Sequence, residues 1–137
     1  MPRDAQPDAL VIPPFADRLE HAAAVQGAHL VIREWAATGV DEEVAPLHVH
    51  IDDDEAWHVI SGALRFRLAD RVFIAAAGAT VLVPAGVAHT FGNAGPAPSR
   101  YIFIVPARVD ELISRLHEVD RKDHPRVYAE HRSQLVE

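Results

Sequence analysis

From Ala28 onward the chain is a series of short apolar runs separated by turn residues. Ala28 to Trp35 reads as a strand ending at Gly39. Val44 to Ile51, Ala56 to Ile60, Ala63 to Leu68, Val72 to Ala75, Ala79 to Val83, His89 to Phe91 and Tyr101 to Val105 follow it. Gly62, Gly78, Gly86, Gly92 and Gly95, with Pro84, Pro96 and Pro98, punctuate the series. Short strands with turns at intervals of roughly 8 to 12 residues predict an all-β sandwich or barrel.

The period then changes. Val109, Leu112, Ile113, Leu116 and Val119 draw an apolar stripe down one side of a helix, with Asp110 and Glu111 in its first turn and Arg121 and Lys122 near its last, as the helix dipole favours. A weaker helical stretch follows Pro125. The stripe is expected to be a packing surface for an outer face of the barrel or a neighbouring subunit. At the other end, Pro2, Pro7, Pro13 and Pro14 deny regular hydrogen bonding, and Leu19 to Val25 fits helix and strand alike. The chain thus divides into an N-terminal arm (1–27), a barrel (28–106) and a C-terminal helical segment (107–137) packing on the barrel or a partner subunit.

Composition narrows the chemistry. The 137 residues allow one domain, and 49% hydrophobic with 24% charged residues is ordinary for a folded one. A formal charge of −7 and the lack of a basic cluster make nucleic acid an unexpected partner. Cysteine is absent, so disulfides, thiolate metal sites and cysteine nucleophiles fall away together. The single lysine, Lys122, lies in a polar tail, a poor setting for Schiff-base chemistry. No Gly-x-Ser-x-Gly and no Gly-rich phosphate loop occurs, which removes serine acyl transfer, phosphoryl transfer and dinucleotide chemistry. The first apolar stretch is too short and proline-broken for a signal sequence, and no run reaches membrane-spanning length, so no membrane partner and a cytoplasmic address are expected.

The candidate chemistry starts at His48-Val-His50-Ile-Asp-Asp-Asp-Glu55. In a strand, His48 and His50 point the same way, their attachment points roughly 7 Å apart, so both imidazoles can converge on one ion. A tight return through the acidic run would bring a carboxylate beside them. Imidazole with carboxylate suits Zn, Mn, Fe, Ni or Cu better than Mg or Ca. By itself the pair is equally two partly buried side chains, and the Asp-rich run a solvated turn.

Two longer patterns resemble the cupins, small metal-binding β-barrels. The first cupin motif, G(X)5HXH(X)3–4E(X)6G, is matched at His48, His50, Glu55 and Gly62; its upstream glycine, Gly39, lies eight intervening residues before His48 instead of five, which alters loop length only. The second, G(X)5PXG(X)2H(X)3N, is matched at Gly78, Pro84, Gly86, His89 and Asn93. The likeness covers roughly residues 39 to 105. Pro106, after the last strand and before the helix, resembles the small quercetin-dioxygenase-like members. The resemblance implies a double-stranded β-helix (jelly-roll) barrel with a C-terminal helix, in which His48, His50, Glu55 and His89 hold one divalent transition metal (Fe, Mn, Ni, Zn or Cu). Three neutral donors and one anionic donor would leave two positions of an octahedral ion open to a small-molecule ligand.

Strand phase assigns the neighbours. With Glu55 inward, Trp57 and Val59 also face in while Asp54, His58 and Ile60 face out; the opposite phase would offer Asp54 and His58 as ligands. Asp52 and Asp53 read as solvated turn residues. Leu47, Val49, Ile51 and Ile60 would share an outward face needing cover from the terminal arm or a second copy, which favours a homodimer with His58 at its interface. Trp57, Phe66, Phe91 and Phe103, with Tyr101, would wall an apolar substrate pocket, though each also fits plain core. Arg33 and Arg100 read as an anion clamp or as surface residues, and His21, His29, His117, His124 and His131 as surface residues.

Two kinds of function follow. One is a metal-dependent enzyme, most simply a mononuclear dioxygenase-like oxidoreductase acting on an aromatic or enolisable substrate, with Glu55 switching between ligand and catalytic base. The alternatives are a non-catalytic module that binds or senses a small molecule or sugar through its metal, and a redox-neutral cupin isomerase, decarboxylase or cyclase.

Overall fold

The computed structural model describes residues 9–17 and 22–136; Pro2, Pro7 and His21, with the start of the stretch from Leu19, lie outside them. Ten strands follow in chain order: β1 (Ala23–Gln26), β2 (Leu30–Ala37), β3 (His48–His50), β4 (Glu55–Ser61), β5 (Ala63–Leu68), β6 (Arg71–Ala76), β7 (Thr80–Val83), β8 (His89–Asn93), β9 (Ser99–Pro106) and β10 (Ser133–Leu135). Between β9 and β10 lie helices α1 (Ala107–Leu116) and α2 (His124–Glu130). The strands form two antiparallel five-stranded sheets, β1-β2-β9-β4-β7 and β10-β3-β8-β5-β6, packed as a jelly-roll β-sandwich.

Alternation in the sequence becomes alternation in burial. Successive residues of β9 are buried and half-buried in strict turn, and in β4 Glu55, Trp57 and Val59 face in while Ile60 lies exposed. The core between the sheets is built on Trp57, Val59, Leu64, Phe66, Tyr101 and Phe103. Asn93 locks one end of it. Its amide nitrogen faces the carbonyls of Gly39, Gly95 and Ala97, and its oxygen accepts from the Ser99 hydroxyl at 2.5 Å. Gly62 must be glycine here, because its φ is 75° and a Cβ would collide with Ser99.

Several elements differ from the sequence reading. The ambiguous stretch and the expected arm contain β1, which pairs along β2. Of the run Val44 to Ile51 only His48–His50 is strand, because the chain before it crosses β8: Glu43 bridges Gly92 and the Val44 N–H donates to the Phe91 carbonyl at 2.7 Å. The C-terminal segment is not wholly helical, since β10 returns to pair with β3, Ser133 opposite His50. Ile60 shares no face with Leu47 and Val49, because β3 and β4 belong to different sheets. Nor is His131 a surface residue. It is buried between the helices, Nδ1 donating to the Val127 carbonyl at 2.8 Å and Nε2 lying 3.1 Å from the Glu111 carboxylate.

The acidic run is also more than a turn. Asp53 is buried and clasped by Arg108 of α1 at 2.9 and 3.1 Å, whereas exposed Asp52 pairs with Arg132 at 2.8 Å and Asp54 accepts the Ala85 N–H at 2.8 Å. Arg33 and Arg100 are each engaged within the chain: Arg33 holds Asp110 of α1 and Arg100 holds Glu34. No helix among the described residues is long and apolar enough to cross a membrane.

Candidate metal centre

Three short strands deliver the cluster. His48 and His50 are the two inward positions of β3, Glu55 opens β4, and His89 opens β8 directly opposite His48. Gly86, at φ 85°, makes the turn before β8 and donates its N–H to the His50 carbonyl at 2.8 Å, fixing the start of one ligand strand to another. All four side chains are buried, and one ligand atom from each lies within 4.8 Å of every other. Atoms sharing one ion through bonds of about 2.0–2.2 Å stand at most about 4.4 Å apart, so small side-chain adjustments close the set.

The outer ring nitrogens decide what the inner ones offer. His48 Nδ1 donates to the Pro46 carbonyl at 2.7 Å and His89 Nδ1 to the Val87 carbonyl at 2.9 Å. His50 Nδ1 lies 2.7 Å from the Ser133 hydroxyl, whose own hydrogen goes to the His131 carbonyl at 3.1 Å, so Ser133 accepts from His50. Each imidazole therefore carries its proton on Nδ1 and turns Nε2 toward the centre. Glu55 Oε1 lies 2.5 Å from His89 Nε2 and 2.9 Å from His50 Nε2. The second contact is misaligned for a hydrogen bond, which leaves His50 Nε2 a buried polar atom without a partner. A carboxylate oxygen packed against imidazole lone pairs is repulsive unless positive charge sits between them. The residues therefore fit a divalent cation, and an N3O donor set points to a transition metal.

Electrostatics agree. Burial pushes the His48 imidazole down to about 4, so it stays neutral and ready to ligate. Burial works to raise Glu55, but the His50 and His89 contacts prevail and hold its carboxyl at about 2. Burial likewise opposes charge on His89, yet the Glu55 hydrogen bond and charge carry it above its ordinary value. Without a metal, the His89 proton balances the carboxylate; a cation would take that place.

The cluster forms the floor of a cavity of about 910 Å³. Trp35, Trp57, Phe91, Tyr101, Phe103 and Tyr128 wall it, and Leu112, Ile113 and Leu116 of α1 roof it. The helical stripe thus does more than cover an outer surface. Phe66, expected in the wall, lies instead in the core: it is fully buried, its ring 5.0 Å from Trp57 and stacked on Phe73 and Phe91. Strand parity gave its face correctly but not its distance from the site along the sheet. Asp54 and His58 point away from the cluster, His58 bonding Thr80 at 2.8 Å. Of the remaining histidines, His29 is exposed, whereas His117 and His124 reach the cavity mouth.

Trp35, Ser133 and Tyr128 escaped the sequence reading, Trp35 because it marked only the end of a strand. Ser133, in a three-residue strand, has no pattern of its own. Tyr128 packs its ring 5.6 Å from that of His48, and burial with the Glu55 charge raises its phenol to about 12, so it keeps its proton. The one signal for Tyr128 was an aromatic beside Val127 on the second helical stretch.

Residues 39–105 match the family described as Cupin domain. Among solved structures, a protein from Bacillus halodurans superposes with a TM-score of 0.61 at 20% identity, over 74% of this chain and 83% of that one. A conserved protein with a double-stranded beta-helix domain from Klebsiella pneumoniae subsp. pneumoniae is 26% identical, with a TM-score of 0.53 over 70% of this chain and 82% of its own. The polyketide cyclase RemF from Streptomyces resistomycificus is 21% identical, with a TM-score of 0.51 over 58% of this chain and 56% of its own. No curated protein matches by sequence.

Proposed function

We propose that this chain, whose residues 39–105 match the family described as Cupin domain, is a mononuclear metal-dependent enzyme, a dioxygenase-like oxidoreductase acting on an aromatic or enolisable small molecule. The observation behind this reading is the convergence of His48, His50, Glu55 and His89 at the floor of an aromatic-walled cavity large enough for such a substrate. A bound Fe, Mn, Ni or Cu ion would supply Lewis acidity and redox access to dioxygen. The chain's own residues orient and protect. The Nδ1 anchors hold three rings toward one point, while Trp57, Phe91 and Phe103 exclude water and favour a flat substrate. Glu55, with its carboxyl held near 2, serves as an anionic ligand and is a weak base.

Tyr128 supports a second reading, redox-neutral isomerisation, decarboxylation or cyclisation. Its protonated phenol stands in the cavity wall beside the ligand set with no hydrogen-bond partner from the described residues, placed to donate to a substrate oxygen. The cyclase named above shares the fold with a reaction of that kind.

Elemental analysis of protein purified without added metal, then reconstitution with Fe, Mn, Ni, Cu or Zn and oxygen-uptake assays on flavonols and β-diketones, tests both readings. Uptake with a redox-active ion but not with zinc supports the first; anaerobic substrate conversion moves the assignment to the second. No turnover with any ion sinks the enzymatic account. A homodimer and a cytoplasmic address belong to the same proposal. Val72, Ile74 and Leu82, each more than half exposed at 51%, 62% and 60%, offer apolar surface for a second copy, and a sedimentation mass near 15.0 kDa would count against dimerisation.

A further inference from the structure

The cavity has chemically different ends. Its floor is the ligand set, its walls are largely apolar, and its mouth carries His117, Arg121 and His124 from the α1–α2 connection and the start of α2, together with Glu43, whose carboxylate is already held by Arg67. His124 is partly accounted for, since Nε2 donates to the Leu116 carbonyl at 3.0 Å at the end of α1. Arg121 and His117 are exposed, and neither side chain has a partner among the described residues. Among the described arginines that hold no carboxylate, Arg65, Arg71 and Arg121, Arg121 alone lines the cavity. Seven of the ten described arginines, at positions 33, 67, 100, 108, 115, 126 and 132, each hold a carboxylate. In a chain of net charge −7, an acid-free guanidinium on the cavity rim is not part of a general basic surface. Lys122 beside it does not line the cavity.

Deeper in, donors also lack acceptors. The Tyr101 and Tyr128 hydroxyls, both on the cavity lining, have no hydrogen-bond partner from the described residues; Trp57 Nε1 has none either but is sealed beneath the wall, out of a ligand's reach. Unmet donors along an apolar wall match a ligand bearing oxygen acceptors on a flat body.

Building on the metal-enzyme reading, we infer that the ligand is an amphipathic organic acid, its apolar, oxygen-bearing body in the barrel and its carboxylate at the mouth, held by Arg121 with His117. Arg121 is the specificity-determining residue, acting as a charged anchor at the opposite end from the metal. Such an anchor fixes which end of the molecule reaches the ion.

The test uses the zinc-loaded full-length chain, with trans-cinnamate and its neutral analogue cinnamamide as probes and titration calorimetry as readout. Cinnamate should bind about tenfold more tightly than the amide, and Arg121→Gln should erase that preference while Lys122→Gln leaves it intact. Equal binding of acid and amide overturns the inference, as does binding of neither. An acid preference that survives Arg121→Gln also overturns it, because the carboxylate would then be on the zinc. If the chain takes up no zinc yet still selects cinnamate through Arg121, the metal-enzyme reading falls and the mouth site stands.

Discussion

Ser133→Ala isolates the contribution of the C-terminal strand to the metal centre. In the native chain the Ser133 hydroxyl accepts from His50 Nδ1 at 2.7 Å and passes its hydrogen to His131 at 3.1 Å, which commits the His50 proton to Nδ1. With alanine, the imidazole is free to move that proton to Nε2, where Glu55 Oε1 waits 2.9 Å away. A metal must then expel the proton and reorient the ring. Loss of a hydrogen bond supporting a ligating histidine typically costs 10- to 100-fold in affinity, about 1.4–2.7 kcal/mol. The fold should lose about 1–3 kcal/mol for the groups left unpaired. Zinc affinity measured against a chromophoric chelator gives the first quantity and urea unfolding of metal-stripped protein the second. The cobalt-loaded visible spectrum, a further readout, should change in band position and intensity. Ser133→Thr should restore both properties, and Gln134→Ala, at an exposed neighbouring position, should leave them alone. Affinity within about twofold of the parent, with an unchanged cobalt spectrum, would refute the tautomer argument even if stability fell.

Four further outcomes are expected. Glu55→Gln removes the anionic donor and should weaken zinc binding by more than about 100-fold, beyond the effect of any supporting residue, in the same chelator assay. Zinc affinity should fall on acidification, because His89 is raised above its ordinary 6.5 and holds a proton that the metal must displace; a pH-independent affinity between pH 6 and 8 would contradict this. In metal-stripped protein, acid should reduce stability first through His48, between 6.5 and about 4, where the unfolded chain binds a proton that the fold resists, and then through Glu55, between 4.5 and about 2; His89 works oppositely, stabilising below 6.5 and losing that contribution as pH rises through its raised value. Asn93→Ala removes the amide that faces three carbonyls, while the Ser99 hydroxyl keeps the Ala63 carbonyl as acceptor, so it should cost about 1–3 kcal/mol in urea unfolding.

What the sequence made legible was periodic or closely spaced. Parity in β4 separates Glu55, Trp57 and Val59 from Asp54 and His58, and both motif stretches name residues that the fold gathers into one cluster. What stayed hidden depends on contacts between distant positions. Ser133 reaches His50 across 83 residues and Arg108 reaches Asp53 across 55, and neither partner can be guessed from its own neighbourhood. Asp53 looked solvated because acidic runs generally are, and nothing local announces the guanidinium that neutralises it. Phe66 shows the limit of periodicity from the other side: the repeat of a strand assigns a face, while the order of strands in the sheet decides what that face meets.

The four consecutive acids from Asp52 to Glu55 act as a splice, each gripping a different part of the molecule. One residue added or removed there would turn Glu55 outward and slip three tethers in a single stroke, so this link tolerates side-chain exchange far better than any change in length. Engineers wishing to insert a reporter peptide should instead use the exposed Ala69–Asp70 hairpin tip between β5 and β6, where extra chain displaces none of those grips.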